Sequence, residues 1–442
     1  MPETLALNEL RDAWPLLSTE DRQQGFALLS RAAAEELFDS LETVHQADLL
    51  LALPDGQRRG LMRLLAPDDA ADVIQTVDLG QREALLGLLD EPTRKEVTAL
   101  LAYAEDEAGG LMSPHFARLR PDMSVDAALS YLRRQTRAKA ESIYYAYVLD
   151  PSQRLLGAVS LRELFAASSD AAVRDVMTQD VVTAPEEMDQ EAVGHLFAQH
   201  DLLALPVVDA EGRMKGIVTV DDIVDVVREE ATEDMHKLGG AQALAAPYLE
   251  TGYREMLRKR LGWLAALLVL SFCAVQAMRL FESHMHAAAV LTIFVPLIIS
   301  SGGNSGSQAA TLVVRAMALD ELRAGDWWRV IRRELLVGLS LGATLGLMGV
   351  TIVWSWHHFA TATGRPAPFG EHYVRIGYVV ATSIVAVAVW GTLVGSTFPF
   401  LLRRVGFDPA SASAPLVATI VDATGILIYF TVAGVLLRGA LL

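Results

Sequence analysis

One carboxylate of this 442-residue chain stands where a carboxylate is costly. Asp422 lies inside PLVATIVDATGILIYFTVAGVLL, and an ionised acid at the centre of a membrane-length apolar run costs ~2.5–3.5 kcal/mol on insertion scales. Such a group persists where it meets a cationic partner, is protonated between helices, or lines a water-filled path. No Lys or Arg lies well inside any apolar run, which favours a cation path. Ala418, one turn earlier, could offer a backbone oxygen to the same path. A second run, PLIISSGGNSGSQAATLVVRAMA, carries Asn304 and Gln308 one turn apart, two amides on one side of a helix. Its glycines and hydroxyl residues let a helix deform and a neighbour approach, so small-residue packing and pore lining both account for it.

The third constellation is DDIVDVVREEATED, residues 221–234, with seven acids and one base, Arg228. On a helix Asp222, Asp225 and Glu229 share a face, and Glu230, Glu233 and Asp234 form the next turn, so like charges repel at three and four spacing. A charge run is ordinarily a solvated helix face. This one leads through HKLGGAQALAAPYLETGYREMLRKR into the first membrane-length segment, where a change in repulsion could act mechanically. Hard divalent cations take oxygen ligands, and Mg²⁺ binds through one or two carboxylates while keeping waters.

The elements that must position these residues divide by charge. Residues 1–260 hold 46 acids and 26 bases, residues 261–442 hold 8 and 11, and the net charge is −17. The acidic first part excludes a nucleic-acid surface and leaves a cation-facing one. The lone Cys273 cannot form an intrachain disulfide, which suits a reducing cytoplasm. MPETLALNELRDAWPLL lacks the order of a signal peptide, so the first part is expected to stay cytoplasmic. Residues 1–110 read as short amphipathic helices punctuated by Pro54, Pro67 and Pro92. Five apolar stretches follow the basic cluster at 254–260, near 261–280, 287–319, 335–356, 376–402 and 412–437, each long enough to span a bilayer. Arg323, Arg329, Arg332, Arg333, Arg403 and Arg404 place the even loops on the cytoplasmic side and the C-terminus outside. The outer loops carry His284, His286, His357, His358 and His372; His357 and His358 are adjacent and should diverge on a helix.

Between 111 and 232 the chain repeats itself. Val148, Asp150, Arg154, Gly157 and Leu164 align at an offset of 59 with Val207, Asp209, Arg213, Gly216 and Ile223. Each copy reads strand, Asp-containing turn, strand, helix, and neither buries its sheet alone. The two units, 111–172 and 173–232, resemble a pair of CBS domains, with LPVVDAEGRMKGIVTVDDI carrying the motif.

The whole order resembles the MgtE magnesium transporter family: a helical N-terminal domain (1–110), the CBS pair, a connecting plug helix (233–260) and five spans (261–442). GGNSGSQAATLVVRAMA, FDPASASAP and ATIVDATG carry the resemblance. The fold class is then mostly α, with the CBS units as its α/β part. The resemblance implies a homodimeric Mg²⁺ channel of the cell (inner) membrane, closed by intracellular Mg²⁺, with its pore on the two-fold axis. It gives Asp422 the pore's selectivity site and Ala418 an adjacent backbone contact, and Asn304 joins them in the pore on the strength of its amide. Glu191, Asp201, Asp222 and Asp225 match carboxylates that bind regulatory Mg²⁺ between domains, and Glu230, Glu233 and Asp234 match those at the membrane junction. The N-domain ligand is left open among Asp68, Asp69, Asp72 and Asp78, and Ala414 stands where some relatives have a polar pore residue. Thr219 and Asp222 have the spacing CBS proteins use for the ribose of ATP. The rival readings are a channel or exchanger for Mn²⁺, Co²⁺ or Ca²⁺, and a membrane-anchored nucleotide sensor. An enzyme is disfavoured, since no nucleophile and base, phosphate-cradling loop or metal-ligand His cluster is evident.

Overall fold

A computed structural model of the chain describes residues 2–136, 144–244, 248–249, 251–282, 289–319, 321–366 and 368–438. His284 and His286 lie outside them. The chain forms two compact units, Met1–Glu230 and Ala231–Leu442.

The first unit opens with the helices α1 (Pro2–Ala13), α2 (Thr19–Ala27), α3 (Arg31–Asp39), α4 (Thr43–Ala52), α5 (Asp55–Met62), α6 (Pro67–Thr76), α7 (Leu79–Leu86), α8 (Glu91–Leu100) and the short α9 (Ala108–Leu111). Ser18, Ser30 and Asp90 begin three of them by accepting from the backbone N–H of Asp21, Ala33 and Thr93. Pro67 opens α6 with Asp68 and Asp69 in its first turn, which suits the helix dipole. Leu49, Leu50, Val73, Ile74 and Val97 of these helices are buried in one core with Val193, Phe197, Leu205, Val207 and Val218, which belong to the second repeat.

The repeats follow as β1 (Ala117–Leu119), α10 (Val125–Thr136), β2 (Tyr145–Leu149), β3 (Leu155–Ser160), α11 (Leu161–Ala166) and α12 (Val173–Val176), then β4 (Ala184–Pro185), α13 (Gln190–His200), β5 (Ala204–Val208), β6 (Met214–Thr219) and α14 (Val220–Leu238). In each three-stranded sheet the central strand is parallel to the first and antiparallel to the third. The internal offset holds in the register, with Val148 opposite Gly157 and Val207 opposite Gly216. It holds in the turns too: Asp150 Oδ1 accepts from the N–H of Ser152 and Arg154, as Asp209 Oδ1 does from Glu211 and Arg213.

The lead-in segments cross over between the sheets. Ser113, ahead of the first repeat, exchanges backbone hydrogen bonds of 2.8 and 2.9 Å with Ile217 of the second, while Thr178, ahead of the second, exchanges bonds of 2.9 Å with Ala158 of the first. Glycine is required at the crossing. A Cβ on Gly157 would stand 2.7 Å from the Thr178 carbonyl oxygen, and one on Gly216 would stand 2.6 Å from that of Ser113.

The second unit contains α15 (Tyr253–Leu280), α16 (Val295–Ala318), α17 (Trp327–Ala362), α18 (Tyr373–Arg404) and α19 (Ala414–Leu436). Among the described residues five helices are long and apolar enough to cross a membrane. In lipid, helices associate through close packing instead of apolar desolvation. Gly391 and Gly395 of α18 bring its backbone against the carbonyls of Gly302 and Gly306 on α16, leaving no room for a side chain. Gly338, Gly342 and Gly346 of α17 admit Thr392, Val385 and Ala381 of α18 in the same way.

Three expectations are corrected. The small-residue stretch of the second span does not break its helix: α16 is continuous through SSGGNSGSQAA, its glycines serving close approach. A single connecting helix over 233–260 gives way to two. α14 starts at the edge of β6 and ends at Leu238, Gly240 takes a left-handed φ of +73°, and α15 begins only at Tyr253. His357 and His358 do not diverge; both pack on Tyr373, the first stacked at 4.0 Å and the second edge-on at 5.5 Å.

Candidate cation-binding sites

Asp422 owes its surroundings to the start of α19. Ser413 caps this helix by accepting from the N–H of Leu416 and receives a hydrogen bond from Trp263 Nε1 at 3.3 Å. Two turns on, Asp422 is half-buried, and it has no hydrogen-bond or ion-pair partner among the described residues. Gly303 of α16 backs it: a Cβ there would stand 3.3 Å from Asp422 Oδ1 and 3.6 Å from Ala418 Cβ. Asn304, next along α16, is exposed, as is Gln308 one turn later. At Ala414 the polar atom comes from a neighbour, since Ser307 Oγ donates to the Ala414 carbonyl at 3.0 Å. Exposed amides on α16 and an unpaired carboxylate on α19 are thus set on two adjoining helices, oxygen donors suited to a hard, hydrated cation.

In the first unit the acids of α14 meet those of α6. Burial, and then the charges of Asp69, Glu105, Asp222 and Glu229, push the Asp72 carboxyl up to about 7. Burial likewise raises Asp222 to about 6, opposed by its hydrogen bonds from Thr219 and reinforced by Asp221 and Asp69. Glu229 is raised by burial and by Glu105, Asp225 and Glu230. Of the open N-domain candidates, Asp69 and Asp72 therefore lie within the field of the α14 acids. Glu230 accepts from Gln190 Nε2 at 2.6 Å. Glu191 and Asp201 are not brought together: they sit at opposite ends of α13, about 15 Å apart along its axis. Among the described residues no group of three or more His, Cys, Asp or Glu side chains closes to metal-binding distance.

Thr219 and Asp222 form a tight pair. The Thr219 hydroxyl and backbone N–H both donate to Asp222 Oδ2, at 2.6 and 3.2 Å, which caps the start of α14.

In the second unit the last turn of α14 reaches a residue sequence reasoning left without a role. Lys237 Nζ pairs with Asp408 Oδ2 at 2.6 Å and with Glu233 one turn earlier on its own helix. Asp408 Oδ1 meanwhile accepts from the Ala410 N–H, fixing the turn before α19. Burial lowers the Lys237 pKa, but the hydrogen bonds and charges of Asp408 and Glu233 outweigh it and hold the ammonium above its ordinary range. Asp408 stands inside FDPASASAP, and a carboxylate in so distinctive a stretch was the available signal.

A family model described as a divalent cation transporter matches residues 295–432, one described as the MgtE intracellular N domain matches 6–106, and the CBS domain model matches 108–170 and 173–229. The magnesium transporter MgtE of Thermus thermophilus is 41% identical over 440 residues, covering 99% of this chain and 94% of that protein. The magnesium transporter MgtE of Enterococcus faecalis is 33% identical, covering 78% and 72%. A crystal structure of the cytosolic domain of the Mg²⁺ channel MgtE in complex with ATP is 43% identical, spanning 50% of this chain and 90% of that one with a TM-score of 0.47. With an N-terminal helical domain, a CBS pair and five spans in this order, the chain is a multi-pass membrane protein that belongs to the MgtE family of magnesium transporters.

Proposed function

We propose that the protein conducts Mg²⁺ through the cell membrane as a homodimer and closes when cytoplasmic Mg²⁺ is abundant. The carrying observation is Asp422, half-buried in a spanning helix with no partner among the described residues and backed by Gly303. On a two-fold axis two such carboxylates, with Ala418 and Asn304 beside them, would attract one divalent cation. Stripping Mg²⁺ of water is costly, so selection runs through its hydration shell. The N-terminus is cytoplasmic and the C-terminus outside, by the positions of the basic loops. The domain boundaries at 110, 172 and 232 belong to the same reading.

Closure follows from repulsion. Two like charges ~4 Å apart cost about 4 kcal/mol at an effective dielectric near 20, so neutralising a few pairs shifts a two-state equilibrium. Asp222, Asp225, Glu191 and Asp201 bind regulatory Mg²⁺ between domains, and Glu230, Glu233 and Asp234 act at the membrane junction. A rise in Mg²⁺ favours the compact state in which these acids share cations. ATP would use Asp222 through the Thr219 pair, which makes nucleotide and regulatory cation neighbours. Mn²⁺ and Co²⁺ are alternative cargo on the same oxygen donors.

Flux from reconstituted full-length protein, measured for Mg²⁺, Mn²⁺, Co²⁺ and Ca²⁺ while cytoplasmic-side Mg²⁺ is varied, tests the reading. Mg²⁺ flux that falls as that Mg²⁺ rises supports it; absence of divalent flux removes it.

A further inference from the structure

α17 stands at the edge of the second unit. It packs along α18 and hardly meets α16, whereas Asp422 lies where α16 and α19 adjoin. Its outer face carries the exposed Leu335, Leu336 and Leu339, which in a bilayer meet acyl chains. One turn before these leucines come Arg332 and Arg333. One turn before Arg332 comes Trp328, beside Trp327 with ring centroids 5.6 Å apart, and all four of these residues are exposed. An exposed Trp pair marks the headgroup level of a spanning helix. Arg332 is thus rooted about 6 Å deeper than Trp328, where its charge needs an anion or a route back to water.

The neighbouring helix brings more of the same charge. α18 runs antiparallel to α17, and Phe400 near its end joins Val330 of α17 in one apolar cluster. Arg403 and Arg404 follow one turn later and are exposed. Cα–Cβ bonds tilt toward the helix N-terminus, so the arginines of α17 lean toward the end of the hairpin and those of α18 lean back into the membrane. The two sets converge toward one level. Acids nearby are already answered: Asp326 pairs with Arg329 at 3.1 Å, Asp408 pairs with Lys237, and Glu334 feels the charge of Arg333. Arg332, Arg403 and Arg404 have no ion-pair partner among the described residues, and Glu321, exposed in the α16–α17 turn, pairs with none of them.

We propose that this end of the α17–α18 hairpin is a site for an anionic phospholipid. The lipid's phosphodiester accepts from the guanidinium N–H groups of Arg332, Arg403 and Arg404, the Trp pair flanks its glycerol region, and an acyl chain lies along Leu336 and Leu339. Guanidinium suits this role, since it presents paired donors to phosphate oxygens and is more weakly hydrated than an ammonium. Three cationic groups against one phosphate favour a lipid of net negative charge over a zwitterionic one. Because the arginines come from two helices, the bound lipid adds a polar tie to a seam made by close glycine packing.

Native mass spectrometry of the full-length protein in detergent, titrated with phosphatidylglycerol or phosphatidylcholine, tests the site. The parent should hold phosphatidylglycerol clearly more tightly than phosphatidylcholine. Arg332→Gln should weaken phosphatidylglycerol about fivefold, the scale of one basic residue at an anionic lipid surface. Arg332→Gln combined with Arg403→Gln and Arg404→Gln should abolish the preference. Arg254→Gln with Arg258→Gln, which removes two exposed charges from α15, should keep it. Equal retention of the two lipids by the parent, survival of the preference in the triple variant, or its loss in the α15 variant overturns the proposal. Thermal unfolding in liposomes guards against a misfolded variant: added phosphatidylglycerol should raise the midpoint of the parent and of the α15 variant, and leave that of the triple variant unmoved. If the triple variant instead changes the Mg²⁺ dependence of flux to the same extent with and without phosphatidylglycerol, the basic face answers the acids of the first unit, and the lipid site is refuted.

Discussion

A side-chain carbon on Gly303 would lie 3.3 Å from Asp422 Oδ1, so this glycine lets the α16 backbone rest directly behind the carboxylate. Nothing larger leaves Asp422 where it stands. Ala at 303 requires the carboxylate to give by a few tenths of an ångström, whereas Val drives it off. Gly303→Val is expected to reduce Mg²⁺ flux at least tenfold, and Gly303→Ala to have an intermediate effect. Flux assays on size-checked, folded protein provide the comparison.

Asp422→Asn keeps the shape and removes the charge. With no partner among the described residues to be orphaned, the variant should fold as the parent does and lose nearly all divalent flux. Parent-like transport by this variant would remove Asp422 from the pore.

Replacing Glu230, Glu233 and Asp234 together by Ala should leave flux that no longer falls as cytoplasmic Mg²⁺ rises. Patch recordings with Mg²⁺ varied on the cytoplasmic face read this directly. A parent-like Mg²⁺ block would exclude these three acids from regulation.

The facing acids of α6 and α14 make stability depend on pH. Asp72 at about 7 and Asp222 at about 6 bind protons more tightly than in the unfolded chain. Their favourable contribution is therefore complete below the ordinary carboxylate range and is lost as pH rises through 6 to 7. Without Mg²⁺, unfolding of the first unit should occur at a lower temperature at pH 8 than at pH 5.5. Asp72→Asn should narrow that difference, and Mg²⁺ should stabilise the parent more at pH 8. Calorimetry of parent and variant at the two pH values checks the sign.

Local and periodic features of the chain were readable in advance. The offset of 59 found Asp150 with Asp209 and Gly157 with Gly216, because a repeat preserves the same turn chemistry and the same close crossing in both copies. The five spans announced themselves by length and apolarity. Pairings between distant segments were not readable. Asp72 feels Asp222 across 150 residues, and Lys237 meets Asp408 across 171, and no spacing rule reports contacts made by tertiary packing. On sequence alone the glycines of the second span allow either a deformed helix or a close neighbour. They proved to be places where α18 comes backbone to backbone, a distinction that depends on the neighbour.

The crossed lead-ins give the CBS pair the logic of two clasped hands. Ser113 fastens the second sheet and Thr178 the first, so neither half owns all of its own edge. Severed between 172 and 173, each fragment would carry the other's closing piece. The duplication is thus interlocked, and a ligand that loosens one copy cannot leave its twin undisturbed.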